Sequence, residues 1–580
     1  MVRKRVKVCQ FCREETVEID YIGKNRKMRD LPKNKNRYLI IPVLLACFYV
    51  SPVYVFSNSL EIDYAYIRKV HQFDFGTIHV FLRNTGEKPV LVNKIFLNDT
   101  CLDNLPNESA TWLQIVPNPV LPKDISDLMI KLSKHVDNYK LPLQIKVEAE
   151  SETLKIPVAK INGSFKISGI YFSDNLDRVY IYLQNIGKGN LKPSQVFFGQ
   201  ENVTSLTDFL SLEIKPEEKG LLVTKLKGPL SQGKYLTVKI LSEDGETAES
   251  LVRVSSLFPI TSWDNDTRKE LGFDPYPFHI NYSLINRPEE IKKLPPYCAW
   301  YLLGCPNCTD LAQGKPWGNS AIEIIKRAQK CYQIDPTRPS HTHVCEAFKE
   351  IAYFIYGEVC DIMFINPYEV VFHSEDPQKN GYFARLGKLA CEPRLLMTIP
   401  EAFTMGTTGP FPSPEEERFG VYYQISEGVK GISYFLRGSS SGYQTYPELE
   451  KEIGKINQEL QIVKPYLKIG EPFPNLACSS NPAVLANTIL AGDQGLVLIL
   501  INKNYKTTVQ EGKRHTNWVP QENFQVEVRL PEWLKVKKVV EISREIKNLE
   551  YQSKEENISI PIDRLDLTKI ILLTTTGDLK

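Results

Sequence analysis

Four short apolar runs, YCAWYLLGCP (297–306), CDIMFINPYEV (360–370), RLLMTIPEAF (394–403) and VKGISYFLRG (429–438), decide how this chain folds. Each run stops at polar or small residues, and helical patterns lie between them. Continuous apolar runs of this kind are what parallel strands buried on both faces require, with helices as crossovers. The pattern Ser413-Pro414-Glu415-Glu416 predicts a helix start. Serine is a good N-cap, proline fits the first helical position, and Glu416 completes a capping box. Strand-helix alternation predicts an α/β unit, and in a barrel the chemistry sits where the strands end. The candidate residues are therefore Gly304-Cys305-Pro306, His341, His343, Asn366 to Glu369, Glu401 and Tyr434 to Arg437.

The alternation runs from Leu257 to about Pro474. Its last helix places Leu449, Ile453, Ile456, Leu460, Val463 and Leu467 on one face, with charged residues opposite. From Asn475 the pattern is β again: Leu496–Ile501 reads as a buried strand, and Val526, Val528 and Leu530 alternate with polar neighbours. Before Leu257 lie two similar segments. Val80–Gly86 recurs as Ile181–Gly187, and Ile95–Asn98 recurs as Val196–Gly199, both displaced by 101 positions. Each reads as an immunoglobulin-like sandwich of short alternating strands, in which the asparagine before the turn glycine serves the turn. No chemistry is visible in either copy.

A length of 580 residues exceeds one core, and roughly three to five domains are expected. The divisions read as 1–59 leader, 60–160 and 161–255 sandwiches, 256–474 barrel and 475–580 terminal sandwich. The fold class is thus multidomain α/β plus all-β. It has a divergent (β/α)8 TIM-type barrel, which either lacks early helices or is incomplete, two N-terminal immunoglobulin-like sandwiches and a C-terminal β-sandwich. A net charge of +2 gives no electrostatic pointer to nucleic acid. Residues 1–37 are basic and polar, and an apolar run over Leu39–Phe56 follows. That order predicts either a signal peptide cleaved near Ser57 to Leu60 or an uncleaved membrane anchor. Either places the protein outside the cytoplasm: secreted, periplasmic or in the cell envelope.

AWYLLGCP, Asp335–Pro339 (DPTRP), INPYEV, PEAF and VKGISYF resemble the clan-A glycoside hydrolases, and more narrowly the bacterial β-galactosidase-like barrels flanked by β-sandwiches. The resemblance covers Leu257 to the C-terminus. It implies a carbohydrate or glycan as partner, no cofactor, and two carboxylates across the glycosidic bond. The nucleophile, after strand seven, falls on Glu401. The acid, after strand four, falls on Cys305, and a thiol of ordinary pKa ~8.5 is a poor general acid. Only about fifty residues separate the first strand, near Leu257–Ser262, from Cys305, which is short for three strand-helix units. Glu369 is the candidate replacement acid, although a strand-end glutamate also reads as a solvent-facing loop residue. Tyr368, Asn366, His341, His343, Tyr434 and Arg437 are candidate sugar contacts; packing and ion pairing are their plain readings.

Nine cysteines follow the leader, and export permits disulfides. Cys360 and Cys391 read as a bridge or as buried thiols at the barrel floor. Cys305-Pro-Asn-Cys308 and His341-Thr-His343-Val-Cys345 have the ligand types of a zinc site. Oxidised or free cysteines are expected there, with no metal. Three functions remain open: a carbohydrate-active hydrolase, a carbohydrate-binding pseudoenzyme and a cell-envelope structural protein. The hydrolase-like reading with weak or no activity is the one the residues favour.

Overall fold

A computed structural model describes residues 59–577 apart from 151, 264–265, 296, 346–348, 371–375, 405–410, 436–439, 511–512 and 544. The leader and its cleavage region up to residue 58 lie outside the described residues.

At the centre is a curled sheet of seven parallel strands: β1 (Ile260–Ser262), β2 (His279–Asn281), β3 (Ala299–Gly304), β4 (Ser340–Val344), β5 (Ile362–Ile365), β6 (Leu395–Thr398) and β7 (Ile432–Tyr434). The bonded order is β1-β7-β6-β5-β4-β3-β2, so the first strand pairs with the last. Among the described residues no ladder joins β1 to β2, and the ring is open there. An eight-stranded closed barrel is not formed by these residues.

Both faces of β1, β5 and β7 are buried, which is why the segments holding β5 and β7 read as apolar runs. On β5, Ile362 and Phe364 join an inner cluster with Phe278, Ala299, Met397 and Ile399. Met363 and Ile365 face the helices instead. Those helices are α1 (Pro306–Ala312), α2 (Asn319–Ile334), α3 (Lys349–Tyr356), α4 (Lys379–Cys391), α5 (Pro414–Ser426) and α6 (Pro447–Ile469). Helix α5 begins with the capping box the sequence predicts: Glu416 N–H donates to Ser413 Oγ at 3.1 Å, and Ser413 N–H to Glu416 Oε2 at 3.0 Å. All six apolar residues of the α6 stripe are buried. At roughly 1.5–3 kcal/mol for each fully buried side chain, that stripe dominates the docking of α6.

The early part of the ring explains the short spacing before Cys305. Among the described residues between β1 and β2 the helical element is a 3-10 turn, Lys269–Leu271, where a parallel crossover ordinarily carries an α-helix. That segment is strapped to α6 instead. Asn457 Nδ2 donates to Leu271 O at 3.0 Å, and Gln461 Nε2 to Gly272 O at 3.0 Å. Gly272 sits at φ +72°, and a Cβ there would lie 2.9 Å from the α6 backbone, so the close approach needs glycine.

The two repeated segments each form eight strands in two four-stranded sheets with the same connectivity. In the first copy the sheet orders, by position along the copy, are 1-2-6-5 and 4-3-7-8; the second copy repeats them. Separate apolar cores fill the two copies. The repeated asparagine does the same work in each. Asn84 Nδ2 donates to Lys88 O and Val120 O, and its Oδ1 accepts from Gly86 N–H. Asn185 bonds Gly189 O, Ile214 O and Gly187 N–H in the same way. The C-terminal part pairs a six-stranded sheet with a four-stranded one. Both pack into the cluster that includes α6.

Candidate functional site

At the carboxyl ends of the strands, parity decides which side chains enter the ring. His341 and His343 alternate with Thr342 on β4 and share the interior with Tyr301 of β3, His279 of β2 and Phe364 of β5. Trp263, one residue past β1, closes the group: its ring lies 4.1 Å from that of His279 and 5.2 Å from that of His343. Tyr301 stacks on both β4 histidines, at 5.3 and 5.8 Å. This fit depends on Gly304, where a Cβ would fall 2.0 Å from the Tyr301 hydroxyl.

Two of the imidazoles are joined in a part-buried polar chain. His279 Nε2 is 2.8 Å from Ser433 Oγ, and its Nδ1 is 3.1 Å from His341 Nε2. His341 Nδ1 has no hydrogen-bond partner among the described residues. One proton placement leaves a bare lone pair at this end of the chain, and the other leaves an unmet N–H. Either way an unmet buried polar atom costs about 1–3 kcal/mol. Burial keeps all three rings neutral. It pushes His279 down to about 3, helped by His343, and His343 to about 4. His341 lies well below its usual value through burial and its two histidine neighbours.

Cys305 stands at the end of β3 in the left-handed region, φ 47° and ψ 50°. Its sulfur is bonded to Cys345, just past β4, with the Cα atoms 5.0 Å apart. His343 Nε2 lies 3.0 Å from Cys305 Sγ. Asn307 holds the other side, its Oδ1 accepting from Cys345 N–H and its Nδ2 donating to Cys345 O, both at 3.1 Å. Cys305, His343 and Cys345 are the group of described residues whose ligand atoms gather closely enough to suit a metal. As a disulfide, the two sulfurs are neutral and offer no thiolate. Cys308 is buried and takes no part in the bridge.

Glu401 follows β6. It is buried, and its Oε2 accepts from Val370 N–H at 2.9 Å. Behind it, on α5, Glu417 is buried and pushed up to about 8 by burial and by the charge of Glu401. The two share a small cavity with Asn380 and Gln424, placing Glu401 beside the helix layer. Glu369 is buried rather than solvent-facing, because the turn after β5 folds back: Tyr368 N–H bonds Asn366 O and Glu369 N–H bonds Pro367 O, each at 2.9 Å. Asn366 and Tyr368 are buried too, and the Tyr368 ring meets Phe403 edge-on at 4.9 Å. Tyr434 faces the helices, packed against Phe273 and Tyr443. Arg437 lies outside the described residues. Cys360 and Cys391 are separate thiols, each pushed up to about 12 by burial, and unreactive for that reason.

The structure thus gathers His341, His343 and Cys305 in one interior cluster and leaves Glu401 beside α5. Sequence reasoning missed His279, Trp263, Tyr301 and Ser433. For His279 the signal was slight, a three-residue strand after Pro277 with no apolar run of its own.

No family model matches the chain, and no curated protein does either. Among solved structures, the archaellum periplasmic stator protein complex FlaF and FlaG from Sulfolobus acidocaldarius is 23% identical. That match covers 16% of this chain and 91% of the other, with a TM-score of 0.15. Alpha-L-fucosidase isoenzyme 2 from Paenibacillus thiaminolyticus is 9% identical over 51% of this chain and 80% of the other, at 0.32. A putative beta-galactosidase from Bacteroides fragilis is 11% identical over 76% and 90%, at 0.24. Likenesses this slight assign no function, which rests on the residues themselves.

Proposed function

We propose that this chain is an exported, glycoside-hydrolase-like protein that binds carbohydrate and hydrolyses it weakly or not at all. The Cys305–Cys345 bridge carries the reading. The resemblance gives the place of Cys305 to the general acid, and a sulfur in a disulfide has no proton to deliver. If the opening between β1 and β2 takes one lost strand of an eight-stranded TIM-type barrel, β3 counts as the fourth strand, β6 as the seventh and β7 as the eighth. Cys305 and Glu401 then follow the strands to which the resemblance assigns acid and nucleophile. His341 and His343 are the sugar contacts retained in this reading. Tyr434, turned to the helices, is not. The bridge also supports export to an oxidising compartment.

Activated aryl glycosides need little protonation of their leaving group, so slow turnover of these, lost on Glu401→Gln, is expected. Natural oligosaccharides should react ~10²–10⁴-fold less well, the usual worth of general-acid help. Robust hydrolysis of an unactivated oligosaccharide by the wild-type protein, abolished by Glu401→Gln, would overturn the reading and direct attention to Glu369. One observation favours a non-catalytic envelope role instead: Trp263, His279, His341 and Phe364 pack the ring interior with side chains. A glycan array without a single bound sugar selects that role.

A further inference from the structure

On the far side of the ring from the histidines, where the amino ends of β5 and β6 meet both N-terminal sandwiches, lies a cavity of about 460 Å³. Its size suits a small organic molecule. One wall is a row of stacked rings: Tyr64 on Tyr66 at 5.5 Å and Tyr66 on His79 at 5.2 Å. Glu249 of the second sandwich also lines the cavity; it is 1% exposed, and neither of its carboxylate oxygens has a hydrogen-bond partner among the described residues.

The cations around the cavity are already engaged. Burial pushes the His79 ring down, but Asp127 at 2.9 Å and Glu358 at 3.3 Å more than reverse this and hold it at about 9. Arg68 lies 3.9 Å from Asp74 and 3.8 Å from Glu358. Lys166 pairs with Glu392, and Arg394 donates to the carbonyls of Glu358 and Cys360. Asp127 Oδ1 is likewise without a hydrogen bond among the described residues. Three buried carboxylate oxygens therefore lack donors beside an aromatic wall. Buried polar groups are ordinarily satisfied, and an exception calls for an explanation.

We propose that this cavity binds a small organic cation, an amine whose N–H groups meet Glu249 and whose apolar body lies on the Tyr64–Tyr66 row. Aromatic faces attract cations, and a desolvated carboxylate completes the recognition. Burial first, and then Asp63 and Asp127, push the Glu249 carboxyl well above its usual value against the pull of Lys239 and Arg83. An arriving ammonium supplies the missing counter-charge and lowers it again, which links binding to proton release. The site is separate from the strand-end cluster and independent of the carbohydrate reading.

Calorimetric titration of the full chain with benzylamine, and with benzyl alcohol as its neutral counterpart, tests this. Benzylamine should bind with proton release, seen as a heat that varies with the buffer's ionisation enthalpy. Benzyl alcohol should bind at least ten-fold more weakly. Glu249→Gln should weaken benzylamine at least ten-fold while raising the unfolding temperature. Tyr64→Ala, at a partly exposed position, should weaken it without affecting the fold. Failure of benzylamine to bind, equal binding of the two probes, or binding unchanged by both variants would overturn the site.

Discussion

Glu417 is a carboxyl group kept from ionising by its surroundings. It is fully enclosed on the inner side of α5, where burial and then Glu401 push it up. Its pKa of about 8 lies above the ordinary value, so between about 4.5 and 8 the folded chain holds a proton that the unfolded chain releases. Stability from this group is present at low pH and falls as pH rises through that window, by a few kcal/mol at most. Glu417→Gln keeps the shape and removes the titration. The expected outcome is an unfolding temperature that falls less than that of wild type as pH rises from about 6.5 to 8, above the range in which histidines titrate, and a variant several degrees more stable than wild type at pH 9. Scanning calorimetry across that range decides it, and an unchanged profile would show that Glu417 is ionised in the folded state. The capping box at Ser413 and Glu416 was legible in the sequence because it is a local matter of four consecutive residues. The pairing of Glu417 with Glu401 was not, because nothing within either segment says that the strand-end carboxylate sits beside the helix layer.

The three ring histidines belong to β2 and β4; His341 is buried, and His279 and His343 are half-buried among aromatic rings. Burial depresses all three rings. Unfolded histidines take protons below about 6.5, whereas His343 is held at about 4, His279 at about 3, and His341 well below its usual value. The unfolded state therefore binds more protons in the interval between, and stability is lost as pH falls through it. Three such groups give a slope of up to ~4 kcal/mol per pH unit. Denaturant unfolding at a series of pH values from 7 to 4.5 should show this steep loss, and His343→Gln should reduce the slope by about one proton. A slope equal to that of a variant lacking all three would refute the burial argument. Two of these residues were readable as strand-end candidates, since the β4 alternation His341-Thr-His343 aims both inward. His279 was hidden because β2 is too short to carry a pattern. Long elements behaved in the opposite way: the α6 stripe and the alternation of Val526, Val528 and Leu530 were plain, since repeated spacing multiplies a weak signal.

How the units hold one another is a matter for the whole molecule, and it rests on buried polar contacts that no single segment announces. The 101-residue repeat foretold two copies of one topology; it could not foretell what they grip. The Tyr182 hydroxyl of the second copy lies 2.7 Å from Ile469 O and 2.8 Å from Leu490 O, sharing its one proton between them, and so joins the sandwich to the end of α6 and to the C-terminal sheet. Beside it Glu471 is wholly buried, 2.8 Å from Lys219 of the sandwich and 3.2 Å from Lys388 of α4, with the Tyr171 hydroxyl donating to it. Burial alone would raise the Glu471 carboxyl, but Lys219, Lys388 and Lys430 more than offset it and hold it at about 2. Its contribution is complete above about 4.5 and is lost as pH falls toward 2. Glu471→Gln would leave Lys219 and Lys388 without their buried counter-charge, a loss of about 3–5 kcal/mol. Because three units meet at this one carboxylate, the loss should fall on their coupling. Wild-type calorimetry is expected to give overlapping transitions for the sandwich, ring and C-terminal sheets, and Glu471→Gln to separate them. Limited proteolysis should then cut the variant between Val254 and Leu257, where the second sandwich passes into the ring, faster than it cuts the wild type. A variant that melts at a lower temperature but still as the wild type does, with no new cleavage there, would mean that Glu471 stabilises one unit alone.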